Sequence, residues 1–435
     1  MTRVSQVHKP IAILGGPHAG MILARSIAFA AWLLIPIGIF TFYHHKWGAF
    51  YALIAAIFSW LPPERQMLIY MVQVSPDALM AFLFLAALLM AEKCTEKDSS
   101  AWWMWASTGA VACLCFLAKQ QGIIALAAAG AYFLIRRAKF KPLLWFTVGF
   151  LLIFLASTIY FEITSHGQYF YAIFLDLHRI MITSKGLARY RLAVFLFKEN
   201  LFFAAGIYAG LWLVLSRKTK LTIWQVSFFL HIPFLLKILG NAGGGPNYLA
   251  TFWITIVMAA IDAVWNCDYA DHAPSTSTKI RPSFIFSQLL LLSLLCSETF
   301  AMRTIYQDLN MVGRPSHQNA LDAEQYSKKI AALLAGKPNA KILTDRNIGA
   351  FVAHNANITD EGSSTFEYAW AFPSCNQNII LNAIKGKEYN FIVSGLQPYP
   401  ANITQAIEKN YRVALSGQIN LIFKNAGLQR VYVPK

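Results

Sequence analysis

Long apolar runs recur through the first two thirds of this 435-residue chain, and they constrain the fold more than any single motif. A hydrocarbon core of roughly 30 Å is crossed by about 20 apolar residues at the helical rise. By that measure residues 21–43, 48–61, 76–90, 101–117, 122–135, 143–161, 200–215, 221–239, 248–265 and 284–301 are candidate spans. Three of them, 48–61, 76–90 and 122–135, are short, which predicts tilted pieces, re-entrant pairs or helices buried among longer ones. Composition agrees, with 57% of residues hydrophobic and 13% charged, against about 25% charged in soluble domains. One large soluble fold and a disordered chain are both excluded.

The net charge of +16 is read first as topology, because Lys and Arg collect at cytoplasmic ends of spans. Arg136, Arg137, Lys139 and Lys141, and then Arg217, Lys218 and Lys220, fix two cytoplasmic loops. Alternation from these points puts residues 44–47, 93–100 and 266–282 inside as well. Left outside are residues 1–20, 62–75, 119–121, 162–199, 240–247 and everything after the tenth run. Nucleic acid is not expected as a partner. Cys94, Cys113, Cys115, Cys267, Cys296 and Cys375 form no CxxC pair or Cys/His cluster, so neither a zinc site nor a disulfide framework is indicated. The sequence leaves open whether a divalent metal is a cofactor.

Apolar density falls after Met302. The organisation expected is an external N-terminal segment (1–20), a mainly α transmembrane helical bundle (21–302) and a soluble external α/β domain (303–435). In that last part residues 323–335 and 403–409 read as helices, 341–344 and 391–394 as strands, and 412–415 with 420–424 as a strand pair. From residue 303 onward 14 basic residues face 9 acidic ones, an ordinary polar balance. Asp345-Arg346 and Asp360-Glu361 are polar clusters there that turn chemistry explains as well as acceptor choice does. Asn357 and Asn402 begin Asn-x-Thr sequons.

An ionisable residue in or beside an apolar span needs a partner or a role. Lys119 and Gln120 break the stretch from Trp102 to Ile135 at its external edge. A tight turn with a snorkelling lysine explains them structurally; a fixed ammonium facing a phosphate or carboxylate explains them functionally. Asp77 opens the third run from the same face, either as a dipole-favoured first-turn acid or as the partner of Lys119. Lys237 precedes Gly243-Gly244-Gly245, followed by Asn247-Tyr248. Such a loop is a flexible hairpin or, flanked as it is, an anion-binding concavity. Residues 162–199 combine Tyr169, Phe170, Tyr171, Arg179, Arg189 and Arg191 with apolar positions, reading as an amphipathic surface helix whose arginines meet an anionic headgroup.

Ser75-Pro76-Asp77-Ala78-Leu79, Cys115-Phe116-Leu117-Ala118-Lys119-Gln120-Gln121-Gly122 and the segment from Lys237 to Asn247-Tyr248-Leu249 together resemble recurrent segments of bacterial GT-C superfamily membrane glycosyltransferases. The likeness is to the RgtA/B/C/D-like and dolichyl-phosphate-mannose-protein mannosyltransferase-like group, and covers roughly residues 15–265. The resemblance implies an inverting transferase of the bacterial inner membrane, its C-terminal domain periplasmic. It would move a hexose or pentose from a polyprenyl-phosphate donor to a lipid, glycan or protein acceptor.

That chemistry needs a carboxylate to take the acceptor proton and cations to stabilise the departing phosphate. Lys119, Lys237, Gly243, Gly244 and Gly245 suit the phosphate, and Gln120, Asn247, Tyr248, Arg179 and Arg189 the rest of the substrate. The resemblance also implies a preceding span and an acid-bearing external loop. Residues 1–20 carry no Asp or Glu, so the expectation is that this segment lies upstream of Met1, where the encoding DNA would reveal it. Within the chain as it stands, Asp77 is the external acid best placed to act as base. A transporter or lipid flippase, and a non-catalytic partner in an envelope-glycan complex, are the alternatives; no paired repeat of the transporter kind is evident.

Overall fold

The computed structural model describes residues 16–61, 76–96, 101–136, 140–164, 221–239, 249–271, 340–345, 358–362, 377–394, 401–419 and 427–435, with a few isolated positions between them. The chain divides into two compact units. One comprises Ala24–Ser157 and Ile182–Gln307; the other comprises Met1–Leu23, Thr158–Met181 and Asp308–Lys435.

The first unit is helical. Helix α1 spans Gly16–Trp60 but breaks at Gly48, whose φ of 77° lies where an L side chain is strained. Trp32 and Trp60 stack with ring centroids 4.7 Å apart, and the Trp32 indole donates to the Trp60 carbonyl at 3.1 Å. Along a straight helix 28 residues would be separated by about 42 Å, so α1 folds back at Gly48 into an antiparallel pair. The expected loop at 44–47 is instead helical, and one glycine makes the whole turn.

Helices α2 (Asp77–Glu96), α3 (Trp102–Ala118), α4 (Ile123–Ile135), α5 (Phe140–Thr164), α6 (Ile223–Ile238) and α7 (Ala250–Asp271) follow. The run expected to end at residue 90 continues to Glu96 because its last polar residues have partners: Lys46 lies 2.5 Å from Glu92 and 2.8 Å from Glu96. By length and composition Ser26–Trp60, Asp77–Glu96 and Phe140–Thr164 can cross a membrane, while α3, α4, α6 and Ala250–Asp262 are shorter apolar helices. The runs at 200–215 and 284–301, like most of 162–199, fall outside the described residues.

Small residues set the helix spacing. Ala78, Ala81, Ala87 and Ala91 of α2 and Ala125, Ala128 and Ala129 of α4 are fully buried, letting backbones approach as membrane helices do. The approach is tightest between α3 and α5. A methyl at Gly109 would lie 1.9 Å from the Phe146 carbonyl oxygen, and one at Gly149 1.9 Å from that of Ala106. On α5, Leu144, Leu151, Leu152 and Leu155 are exposed, as a lipid-facing helix requires.

The second unit contains a five-stranded mixed sheet: β1 (Ile342–Asp345), β2 (Ile358–Gly362), β3 (Phe391–Ser394), β4 (Tyr411–Ile419) and β5 (Gly427–Pro434), in the order β2-β1-β3-β5-β4. β1 is parallel to β2 and β3, whereas β5 is antiparallel to β3 and β4. Helices α8 (Gln377–Lys385) and α9 (Ala401–Asn410) bury Ile380, Ile384, Ile403 and Ile407 in a core with Leu343, Ile392, Tyr411 and Tyr432. Sheet and helices thus share one core in this part of the chain.

Its details differ. The partner of β4 is Gly427–Pro434, and residues 420–424 lie outside the described residues. Asp360 and Glu361 sit in edge strand β2 rather than a turn, since an edge position tolerates polar side chains that a central strand would not.

Candidate functional site

Side-chain contacts sort the helix ends of the bundle into two levels. At one level lie the Lys46 contacts with Glu92 and Glu96, the Cys94–Thr108 contact, the bond from Thr95 to Tyr132 and that from the Trp224 indole to the Tyr43 hydroxyl. At the other lie the Trp253 indole bond to the Phe58 carbonyl, the Cys115 thiol bond to the Met80 carbonyl, and an ion pair between Lys119 and Asp77. Helices alternate between these levels, as the basic-loop pattern requires.

The ion pair is built by three elements. Asp77 is the first residue of α2, where a carboxylate is favoured by the unsatisfied amides. Lys119 follows α3 in extended conformation (φ −158°, ψ 135°), its amide bonded to the Cys115 carbonyl at 3.2 Å. A single 3₁₀ turn, Gln120–Gly122, then leads into α4, closed by the Gly122 amide on the Lys119 carbonyl at 2.7 Å. Glycine is needed here for space, because a methyl at position 122 would stand 2.1 Å from the Cys115 carbonyl oxygen and 2.7 Å from its sulfur. The turn is pressed onto α3, and Lys119 Nζ lands 2.5 Å from Asp77 Oδ1. The carboxylate is 2% exposed and the lysine 19% exposed.

Of the residues singled out from the sequence, Asp77 and Lys119 are brought together, and Gln120 follows Lys119 in the turn. Lys237 is exposed in the last turn of α6. His231 of α6 bonds Thr251 of α7 at 3.1 Å and Ser227 faces Thr255 at 3.2 Å, so these helices run antiparallel. Lys237, six residues beyond His231, therefore stands roughly 9 Å farther along the axis, past the first residue of α7. Trp224, at the start of the same helix, belongs to the opposite level. Lys237 thus shares the end of the bundle at which Lys119 lies. Arg179, Arg189, Gly243, Gly244, Gly245, Asn247 and Tyr248 lie outside the described residues.

Two buried polar groupings were not anticipated. His231 is fully buried, with Ser227 and Thr251 on its ring nitrogens and the Phe84 and Phe252 rings each 5.5 Å away between centroids. At the other level the Tyr43 hydroxyl donates to Glu92 while accepting from Trp224. The one available signal was Glu92, an acid just past a candidate span. Among the described residues no group of three or more His, Cys, Asp or Glu is placed to hold a metal ion.

No family model matches the sequence, and no curated protein matches it. Solved structures do. ArnT from Cupriavidus metallidurans bound to undecaprenyl phosphate superposes on 98% of this chain and 86% of its own, with a TM-score of 0.53 and 12% identity. The fold is GT-C-like. The apo state of the same ArnT gives a TM-score of 0.53 at 14% identity, over 98% of this chain and 86% of that one. An Archaeoglobus fulgidus oligosaccharyltransferase tethered with an acceptor peptide aligns with 99% of this chain and 65% of its own, at 12% identity and a TM-score of 0.49. The GT-C-like likeness is one of fold, and it spans both the helical bundle and the sheet.

Proposed function

We propose that this chain is an integral-membrane glycosyltransferase that moves a sugar from a polyprenyl-phosphate donor to an envelope acceptor at the Asp77–Lys119 end of the bundle. One observation carries the reading: a buried carboxylate at a helix start is paired with a lysine that keeps access to the outside. The GT-C-like fold supports it, as does the undecaprenyl phosphate bound to the ArnT of the same fold.

In this reading an acceptor hydroxyl oxygen attacks the anomeric carbon from the face opposite the phosphate. The bond from that carbon to the phosphate oxygen breaks, its electron pair stays on the phosphate, and the hydroxyl proton passes to Asp77. Lys119 neutralises the departing phosphate and, in turning toward it, frees the carboxylate oxygen it held. Lys237 adds a second positive charge, with Gly243, Gly244 and Gly245 offering backbone amides. Gln120, Asn247, Tyr248, Arg179 and Arg189 complete the substrate surface. This end faces the periplasm in a bacterial inner membrane, together with the C-terminal domain. The donor sugar is a hexose or a pentose, and the acceptor a lipid, glycan or protein.

The test is transfer of label from polyprenyl-phosphate-linked sugars to endogenous acceptors in membranes containing the protein. Label should move with the wild type and not with Asp77→Asn. Movement of the intact labelled lipid across the bilayer without transfer would identify a flippase and overturn the reading.

A further inference from the structure

Gln121 occupies the centre of the turn that places Lys119. Its side-chain oxygen Oε1 is shielded from solvent and, among the described residues, accepts no hydrogen bond. Buried polar atoms in folded proteins are overwhelmingly satisfied, so each exception calls for an explanation. Backbone freedom does not provide one. The turn is closed by the Gly122–Lys119 bond, and Gly122 is pressed against the Cys115 backbone, which itself is tied through its thiol to Met80 of α2. The glutamine is thus carried on a rigid support between two helices, two residues from a lysine engaged with Asp77.

The chemistry of the unfilled acceptor is specific. An amide oxygen only accepts, so a phosphate, which offers only acceptor oxygens when fully ionised, cannot satisfy it. A hydroxyl or an amine can. From this placement we infer that Gln121 is a specificity-determining residue that accepts a hydrogen bond from a hydroxyl or amino group of the donor's sugar, while Lys119 faces its phosphate. The inference rests on the reading of the Asp77–Lys119 end as the donor site. It divides recognition between neighbours on one turn: charge for the shared phosphate, an uncharged acceptor for the group that distinguishes one sugar from another.

The two labours are separable by binding. Full-length protein in lipid nanodiscs is titrated with bare undecaprenyl phosphate and with undecaprenyl phosphate carrying glucose, galactose, mannose or arabinose. The wild type should bind at least one sugar-bearing lipid more tightly than the bare lipid. Gln121→Met, close in shape but without the acceptor, should lose roughly 3- to 10-fold of that preference while binding bare lipid normally. Gln121→Glu, which keeps an acceptor oxygen, should weaken binding of both lipids through its charge and preserve the ratio between them. Lys119→Met should weaken both lipids.

An unchanged preference in Gln121→Met overturns the inference, and so does a wild type that binds bare and sugar-bearing lipid equally. A wild type that binds neither lipid overturns the underlying reading as well. Should Gln121→Met fail to fold, loss of the ratio in Gln121→Glu would overturn the inference by itself.

Discussion

Among the described residues, two lysine–carboxylate contacts of the bundle share a length of 2.5 Å, one at each level, and their surroundings differ. Lys46 is shared between Glu92 and Glu96, and Glu92 also takes the Tyr43 hydroxyl, which the Trp224 indole holds in turn. Side chains from α1, α2 and α6 are knotted there, so the pair works as a fastening. At the Lys119 level the backbone of the turn is fixed by the Cys115 and Gly122 bonds, and among the described residues the neighbouring Gln121 oxygen accepts no hydrogen bond. An ion pair whose partners are engaged on every side stabilises helix packing. One held by a rigid turn is the arrangement the proposed donor site uses.

The comparison breaks first at Asp77. Asp77→Asn should reduce sugar transfer by roughly 10²- to 10⁴-fold, the scale of a lost general base, as read by labelled-donor assay. Retained transfer would make the two pairs alike. Next comes the fastening. Lys46→Met leaves Glu92 buried without its ammonium, and should cost roughly 3 kcal/mol of stability with donor binding unchanged, measured by chemical denaturation in detergent and lipid titration. A smaller effect is expected for Gly122→Ala, where overpacking against the Cys115 carbonyl should cost about 1–3 kcal/mol and displace Lys119, lowering transfer along with stability. Smallest is Trp224→Phe, which removes the 2.6 Å bond to Tyr43 and should lower stability by about 1 kcal/mol without touching transfer.

The Asp77–Lys119 pair was largely legible from the sequence, because both residues interrupt apolar runs at the same face and a charge there demands a partner. The Tyr43–Glu92–Trp224 knot was not. It joins residues 43, 92 and 224, and only the packing of three helices makes a tyrosine in one of them the partner of an acid in another. Helix ends moved for the same reason: hydropathy stopped α2 at residue 90, but pairing with Lys46 carried it to Glu96. In the sheet, Phe391–Ser394 is apolar and central and stood out, whereas Ile358–Gly362 reads as polar because it lies at an edge. The strand Gly427–Pro434 was hidden by a register question, since any strand downstream of β4 satisfies the alternation until its partner is known.

Gly48 carries a consequence for the whole chain. A methyl there would meet nothing within 4 Å, so the constraint on this position comes from handedness alone. Were the backbone to relax to ordinary helix, α1 would become a rod of about 68 Å, more than twice the hydrocarbon thickness of a bilayer. The parity of the chain would change with it: one crossing fewer ahead of α2 would exchange the two faces of everything that follows, carrying the Asp77 end to the side where Lys46 now lies. A single achiral residue thus sets how often the chain crosses ahead of α2.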